Sequence, residues 1–243
     1  MKNILMICCL VQGLIGSVYA EEKKELPSID LLIYAFAYAK GHQTIYLAQA
    51  EGIPKEVKLS NANILGDFTT VIDEERKIAL RKKDVNEEGE TIYPAIAEFK
   101  IPSNTKRPLL ILYPADGDQP YKAIVVDHDL TDFPNGSYKF INFSPNIIRG
   151  LVGKTKVTAP SKKITAFNPS GNKEALLDVH FQYKGRQKWQ TFGRTRWINE
   201  KVKRSLLCAY IDPRTKLMKI RGLVIRPVMK PVDPNASGQS ASQ

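Results

Sequence analysis

Lys203-Arg-Ser-Leu-Leu-Cys-Ala-Tyr210 is the stretch that decides the fold, because it joins a basic pair to a short apolar run. Such a run predicts a buried strand with its basic pair at the rim. A similar phrase, Lys106-Arg-Pro-Leu-Leu-Ile-Leu-Tyr113, lies 97 residues earlier and is identical at five of its eight positions. Because this spacing is an ordinary domain size, the echo indicates two copies of one domain.

A second echo competes with the first. Leu31-Leu-x-x-x-Phe-x-Tyr38 recurs as Leu176-Leu-x-x-x-Phe-x-Tyr183, 145 residues later. Both spacings cannot define the same repeat. We prefer the spacing of 97 residues, because it agrees with a usual domain size and with a change in charge along the chain.

The chain between its two ends follows an apolar period of two, which is typical of strands. Turn sequences such as Ala115-Asp-Gly-Asp118 and Pro134-Asn-Gly136 separate the apolar runs. This pattern predicts an all-β protein with little helix, built as two tandem antiparallel β-sandwich domains of the Ig-like, Greek-key kind. The expected helical pieces are Asp73–Ala79 and Asn199–Lys203, each of one or two turns.

The expected boundary between the two domains lies where the balance of acidic and basic side chains changes along the chain. We expect one sandwich over 28–130 and a second over 131–227. Glu21 to Asp129 holds 14 basic and 19 acidic side chains, whereas Leu130 to Gln243 holds 21 and 6. The two halves could attract one another, or the basic half could bind an anionic partner. A third interpretation is that the basic surface serves solubility alone.

Both ends of the chain have a composition of their own. The N-terminal residues have the pattern of a signal peptide: a basic Lys2, an apolar run from Ile4 to Gly16 and small residues up to Ala20. This pattern predicts a signal peptide over 1–20 that is cleaved after Ala20. The protein is therefore expected to be periplasmic or extracellular, and no apolar run is long enough for a transmembrane segment. The polar residues 228–243 predict a disordered tail. Cleavage would leave Cys208 as the single cysteine and therefore no internal disulfide.

The densest basic stretch, Lys184 to Arg204, also contains both tryptophans. Alternation on a strand would place Arg194 and Arg196 on one face and Trp197 on the other. These arginines could bind a phosphate or carboxylate group bidentately, and Trp189 could stack on a sugar or a base. The favoured alternative is that the tryptophans are core residues and the charges are simply solvated. The candidate binding residues are Arg186, Lys188, Trp189, Arg194, Arg196, Lys203 and Arg204.

Export and the lack of a zinc-finger, RRM or KH motif argue against nucleic acid as the partner. An anionic cell-envelope polymer, a lipid headgroup or an acidic protein suits the expected compartment better. Binding to any of these partners would depend on salt.

The sequence nominates no catalytic residue, no metal ligand set and no cofactor. Asp127-His128-Asp129 is the best acidic cluster, but aspartates at strand ends favour turns for their own hydrogen bonds. Cys208 lies within an apolar strand, where cysteine behaves as a small buried hydrophobe. No motif of a nucleophilic hydrolase is present. We therefore lean towards a protein that is not an enzyme.

Phe133-Pro-Asn-Gly-Ser-Tyr-Lys-Phe-Ile-Asn-Phe-Ser-Pro145, followed by Ile147-Ile-Arg-Gly-Leu-Val-Gly153, resembles a phrase of uncharacterised secreted bacterial envelope proteins of tandem β-sandwich type. The resemblance implies an envelope location and a β-sandwich fold. That family has no known activity, so no site residue is transferred from it.

Three functions follow as hypotheses. The first is a non-catalytic exported protein that binds an anionic envelope component through its basic half. The second is a structural accessory that assembles through strand edges and charge asymmetry. The third and least favoured is a hydrolase of an envelope polymer.

Overall fold

A computed structural model describes residues 26–169 and 175–225. These residues form β-strands joined by turns and contain no helix, which confirms the all-β class. The predicted signal peptide, 1–20, and the predicted tail, 228–243, lie outside the described residues. The described part of the chain contains no helix that could span a membrane.

The first half of the chain forms two four-stranded sheets and a small hairpin. The strands are β1 (Ser28–Ala35), β2 (Thr44–Leu47), β3 (Lys55–Lys58), β4 (Leu65–Val71), β5 (Lys77–Arg81), β6 (Asp84–Val85), β7 (Thr91–Ile92), β8 (Ala95–Lys100), β9 (Pro108–Pro114) and β10 (Tyr121–Asp127). Sheet A has the strand order β3-β2-β5-β8, sheet B has the order β10-β9-β1-β4, and β6 pairs with β7.

The second half forms two further four-stranded sheets. The strands are β11 (Tyr138–Asn142), β12 (Ile148–Val152), β13 (Thr155–Ala159), β14 (Ile164–Phe167), β15 (Leu176–Lys184), β16 (Trp189–Ile198), β17 (Arg204–Ile211) and β18 (Met218–Ile225). Sheet C has the order β14-β11-β17-β18 and sheet D has the order β13-β12-β15-β16.

Three buried apolar clusters hold the four sheets together. One cluster joins sheets A and B, with Leu80 and Leu110 among its members. Another joins sheets C and D, with Phe140 and Phe181 among its members. The third cluster takes its residues from sheets B and C and includes Phe133 of the segment between β10 and β11. The sheets therefore stack in the order A, B, C, D, and the two halves share a buried interface.

Sheets B and C each contain one parallel pair, β1 with β9 and β11 with β17, so the expectation of purely antiparallel sheets is wrong. Parallel partners need a long crossover connection, which the local strand and turn pattern does not reveal.

Strand β17, which contains most of the stretch Lys203–Tyr210, lies in an inner layer of this stack. Leu206 and Cys208 belong to the cluster towards sheet B, whereas Leu207 and Ala209 belong to the cluster towards sheet D. A strand that is buried on both faces needs apolar residues at every position and shows no alternation. This is why the stretch Lys203–Tyr210 is a continuous apolar run behind its basic pair.

The two expected helical pieces are wrong. Asp73 instead closes a tight turn before β5, because its carboxylate accepts a hydrogen bond of 2.7 Å from the backbone N–H of Lys77. Arg76 completes that turn with a left-handed φ of 60°. Asn199–Lys203 forms the turns between β16 and β17. Asp competes for local backbone hydrogen bonds and thereby favours a turn over a short helix.

A polar group is buried where the two halves meet. Arg204, 5% exposed, donates a hydrogen bond to the backbone carbonyl of His128, which is 3% exposed. His128 Nδ1 has no hydrogen-bond partner among the described residues. Burial, followed by the guanidinium groups of Arg107 and Arg204, lowers the pKa of His128 to about 4. A proton on His128 would be desolvated and would lie close to two cations.

This histidine should make the fold sensitive to mild acid. Its pKa is about 4 when folded and about 6.5 when unfolded, so the unfolded chain takes up the proton first. His128 should therefore cost the protein roughly 3 kcal/mol of stability as the pH falls from 6.5 to 4. Urea denaturation at several pH values measures this loss. His128→Leu should show a correspondingly flatter dependence, and an identical dependence in both proteins would contradict the assignment.

Candidate functional site

The outer face of sheet D is the candidate site. Leu177, Val179 and Phe181 of β15 point into the core between sheets C and D. Successive side chains of a strand alternate between its faces, so the residues between them point outward. On that outer face Arg196 Nε lies 2.8 Å from Asp178 Oδ1, and this ion pair links β15 to β16.

The neighbouring strand β12 joins the same face. Arg149 Nε donates a hydrogen bond of 2.8 Å to Gln182 Oε1 on β15. On the other side of β15, His180 Nε2 lies 3.0 Å from Thr191 Oγ1 on β16. These contacts hold the polar side chains in position above a sheet whose opposite face is buried.

The charge on this surface is strongly one-sided. Among the four strands of sheet D, all of them described, the only carboxylate side chain is Asp178. The cations are exposed and come from all four strands. We call them the basic face: Arg149, Lys156, Lys184, Arg194 and Arg196.

An open cavity of about 770 Å³ lies within this face. Arg194 and Arg196 line it together with Asp178, His180 and the exposed Leu151. Two guanidinium groups beside a single carboxylate, itself paired with Arg196, leave the cavity with a positive potential. This arrangement is suited to hold an anionic group by charge-assisted hydrogen bonds.

Trp189 lies among the cations of the basic face and is already in contact with two of them. The guanidinium of Arg149 lies 4.2 Å from the centre of its ring and the ammonium of Lys184 lies 5.6 Å from it. Cation–π contacts of this kind hold the charged groups in place over the indole. The ring therefore serves first to position Arg149, and only secondarily offers a surface for stacking on a ligand.

The other predicted residues lie in three different environments. Arg186 and Lys188 are exposed in the turn between β15 and β16, next to the basic face. Lys203 pairs with Glu200 at the mouth of a different cavity. Arg204 is buried at the interface between the halves, so it is not available to a partner. Neighbours in the sequence thus do not form one continuous site.

Trp197 is partly buried and packs against the core between sheets C and D, as the favoured alternative held for both tryptophans. Its ring lies 5.7 Å from that of Tyr138 at an interplanar angle of 14° and 5.9 Å from that of Phe181. It points to the opposite side of β16 from Arg194 and Arg196, as strand alternation predicts. For Trp189 that alternative is wrong, because its ring lies on the outer face beneath Arg149 and Lys184.

Three residues of the basic face were not among the sequence candidates: Arg149, Lys156 and Lys184. Alternation within Ile148–Val152 places Arg149 on the outer side of β12. Nothing in the sequence, however, shows that β12 pairs with β15, which brings Arg149 to Trp189.

The acidic cluster and the cysteine have structural roles. Burial opposes ionisation of Asp127, but its carboxylate accepts hydrogen bonds from the backbone N–H groups of Lys106, Asp129 and Arg107, which lower its pKa. Burial raises the pKa of the Cys208 thiol to about 12. In the described ranges no group of three or more His, Cys, Asp or Glu side chains is placed to hold a metal ion.

No protein-family model matches the chain, and no curated protein matches it. The geometry of the basic face is therefore the basis on which we assign a function.

Proposed function

We propose that the protein is a non-catalytic exported protein that holds an anionic polymer of the cell envelope on its basic face. The observation that carries this proposal is the set of five exposed cations from four neighbouring strands, with one carboxylate among them. Export rests on the sequence of residues 1–20, and the anionic partner rests on the charge of the outer face.

A repeating anion is the partner that suits this arrangement. Neighbouring strands lie about 4.8 Å apart, so the cations form an array across the sheet rather than a single pocket. Arg149 is held over the ring of Trp189 and by its hydrogen bond to Gln182, whereas the Asp178–Arg196 ion pair is largely exposed and adds little order. A partner therefore finds the Arg149 guanidinium already ordered and loses less entropy there on binding.

The tandem arrangement of the chain supports a second part of the proposal, that each half is one β-sandwich domain. Sheet B contains the parallel pair β1 and β9, flanked by antiparallel β4 and β10. Sheet C contains the parallel pair β11 and β17, flanked by antiparallel β14 and β18. Sheets A and D likewise repeat one order, β3-β2-β5-β8 and β13-β12-β15-β16.

These orders support the repeat of 97 residues. Val125 lies opposite Leu110 in the pairing of β10 with β9, and Gly222 lies opposite Leu207 in the pairing of β18 with β17. Both pairs are related by a shift of 97 positions. The competing spacing of 145 residues would match β1 with β15. Because β1 lies in an inner sheet and β15 lies in an outer sheet, this second similarity reflects the common composition of strands and not a repeat. Duplication followed by a change of surface charge accounts for one acidic and one basic half.

Charge reversal on the basic face tests the proposed function. In the double variant Arg194→Glu and Arg196→Glu, affinity for dextran sulfate should fall by about tenfold or more in 0.05 M NaCl. Wild-type affinity should itself fall steeply between 0.05 and 0.3 M NaCl, because salt screens exposed charges. Fluorescence anisotropy with labelled dextran sulfate measures both effects.

The matched control carries the same change of net charge on the first half. Lys58→Glu with Lys83→Glu replaces two exposed lysines that are far along the chain from sheet D. It should keep most of the affinity. Equal losses in the two double variants would show that net charge alone acts, and binding that ignores salt would also contradict the proposal. Vesicles with anionic headgroups, titrated in parallel, separate a lipid surface from a soluble polymer.

A further inference from the structure

A second cavity lies between the edge strands of sheets C and D. It has a volume of about 420 Å³ and is lined by residues of β16, β17 and β18. Within the described strands, β16 pairs only with β15 and β18 pairs only with β17, so the cavity opens between two sheet edges. Its volume falls in the range of small-molecule binding pockets.

The walls of this edge pocket are aromatic and aliphatic. Tyr138, Phe181 and Trp197 line it together with Leu207 and Ile220. The rings of Tyr138 and Trp197 are stacked nearly parallel, and this stack continues to Phe167, whose ring lies 5.1 Å from that of Tyr138. These ring contacts fix the walls of the pocket, and an apolar ligand entering it would be desolvated against them.

Two glycines make the space. Gly222 lies on β18 opposite Leu207, where the first half has Val125 opposite Leu110. A Cβ at Gly222 would meet nothing closer than Leu207 Cδ2 at 3.8 Å, and one at Gly193 would lie 3.7 Å from Phe181. Neither glycine has a positive φ, so neither is required by the backbone. A Cβ would fit at both positions, and its absence leaves room for a ligand.

The charges at the pocket cancel. Among the described residues that line it, Glu200 and Lys203 are the only charged ones, and they form an ion pair with each other. Thr195 and Ser205 add hydroxyl groups. A charged ligand would have to displace one member of the ion pair, whereas a hydroxyl or amide could donate to Glu200 and accept from Lys203. The exposed Ile198 and Val224 extend the apolar lining to the mouth.

We propose that the edge pocket binds an uncharged lipophilic small molecule whose polar end is a hydroxyl or an amide. This site is separate from the basic face, because it lies on the core side of β16 and the basic face lies on the outer side. The protein would thus bind two chemical classes, an anionic polymer outside sheet D and a neutral lipophile between sheets C and D.

Fluorescence of N-phenyl-1-naphthylamine, an uncharged apolar probe, tests this site in the full protein. The probe should bind with saturation, and 1-decanol should displace it. Decanoate and decyltrimethylammonium should each compete at least tenfold less well than 1-decanol. The absence of saturable binding, or equally good competition by a charged analogue, would overturn the proposal.

Variants that fill the edge pocket with a side chain test most directly whether the probe binds there. Gly222→Val places at this position the side chain that the first half carries at Val125, and it should weaken probe binding at least tenfold. Gly193→Ala is a smaller filling change and should weaken it in the same direction. Ala166→Val, at an exposed position of β14 on the opposite edge of sheet C, is the control and should bind as the wild type does. Unchanged binding by folded Gly222→Val would show that the probe binds elsewhere.

Discussion

Replacement of Asn142 by alanine is expected to destabilise the folded protein by about 4 kcal/mol. Asn142 ends β11 and is fully buried. Its Nδ2 donates hydrogen bonds to the backbone carbonyls of Asn146 at 2.7 Å and Ala159 at 2.9 Å. Its Oδ1 accepts from the backbone N–H of Ser144 at 3.0 Å and from the Ser144 hydroxyl at 2.7 Å.

One amide thus holds the turn after β11 against the end of β13. Alanine would leave several buried polar groups without partners, and each such group costs about 1–3 kcal/mol. The free energy of unfolding from urea titration measures the loss. Asn104→Ala, at an exposed turn position, is the control and should change stability by less than about 0.5 kcal/mol. A loss below about 1 kcal/mol for Asn142→Ala would contradict the role of this amide.

Gly150→Val is expected to cost about 3 kcal/mol or more, because it overpacks the core. Gly150 on β12 lies directly opposite Phe181 on β15. A Cβ at Gly150 would lie 2.4 Å from two atoms of the Phe181 ring and 3.1 Å from Val157 Cγ1. The ring itself is held between sheets C and D and cannot move aside without disturbing its aromatic neighbours.

A double-mutant cycle separates this clash from other effects of the substitution. In a Phe181→Ala background the ring is gone, so Gly150→Val should cost at least about 1 kcal/mol less than it does in the wild type. Gly222→Val is the matched control, because a Cβ there meets nothing closer than Leu207 Cδ2 at 3.8 Å, and it should leave stability unchanged or raised. Equal costs of Gly150→Val in both backgrounds would show that the ring contact is not the cause.

The sequence predicts which stretches form buried strands better than it predicts which sheets pack against them. The run from Leu206 to Ala209 correctly indicates a buried strand, because every one of its side chains is apolar. Its partners on the two sides, Tyr34 of sheet B and Phe181 of sheet D, come from distant parts of the chain. Long-range pairing leaves no local trace, and hence the stacking of four sheets could not be predicted.

In the candidate site, too, local sequence predicts some features, whereas others depend on distant parts of the chain. The period of two in Arg194-Thr-Arg196 predicts two guanidinium groups on one face, and the structure places them there. Lys203 and Arg204 are neighbours with the same charge, yet one is exposed and the other is buried. Which of them is buried depends on the turn at His128, 76 residues earlier in the chain. The edge pocket has only a weak signal in the sequence, because glycines within strands, such as Gly193 and Gly222, also mark bulges and bends.

The two indole N–H signals in a ¹H–¹⁵N spectrum test the binding function most directly, because the chain has two tryptophans. Trp189 lies on the basic face, in contact with Arg149, and Trp197 lines the edge pocket. A Trp189→Phe variant assigns the signals. On titration with dextran sulfate at low salt, the Trp189 signal should shift in a saturable way while the Trp197 signal stays in place. A shift of Trp197 alone, or no shift of either signal while the polymer binds, would contradict an anionic partner on the basic face.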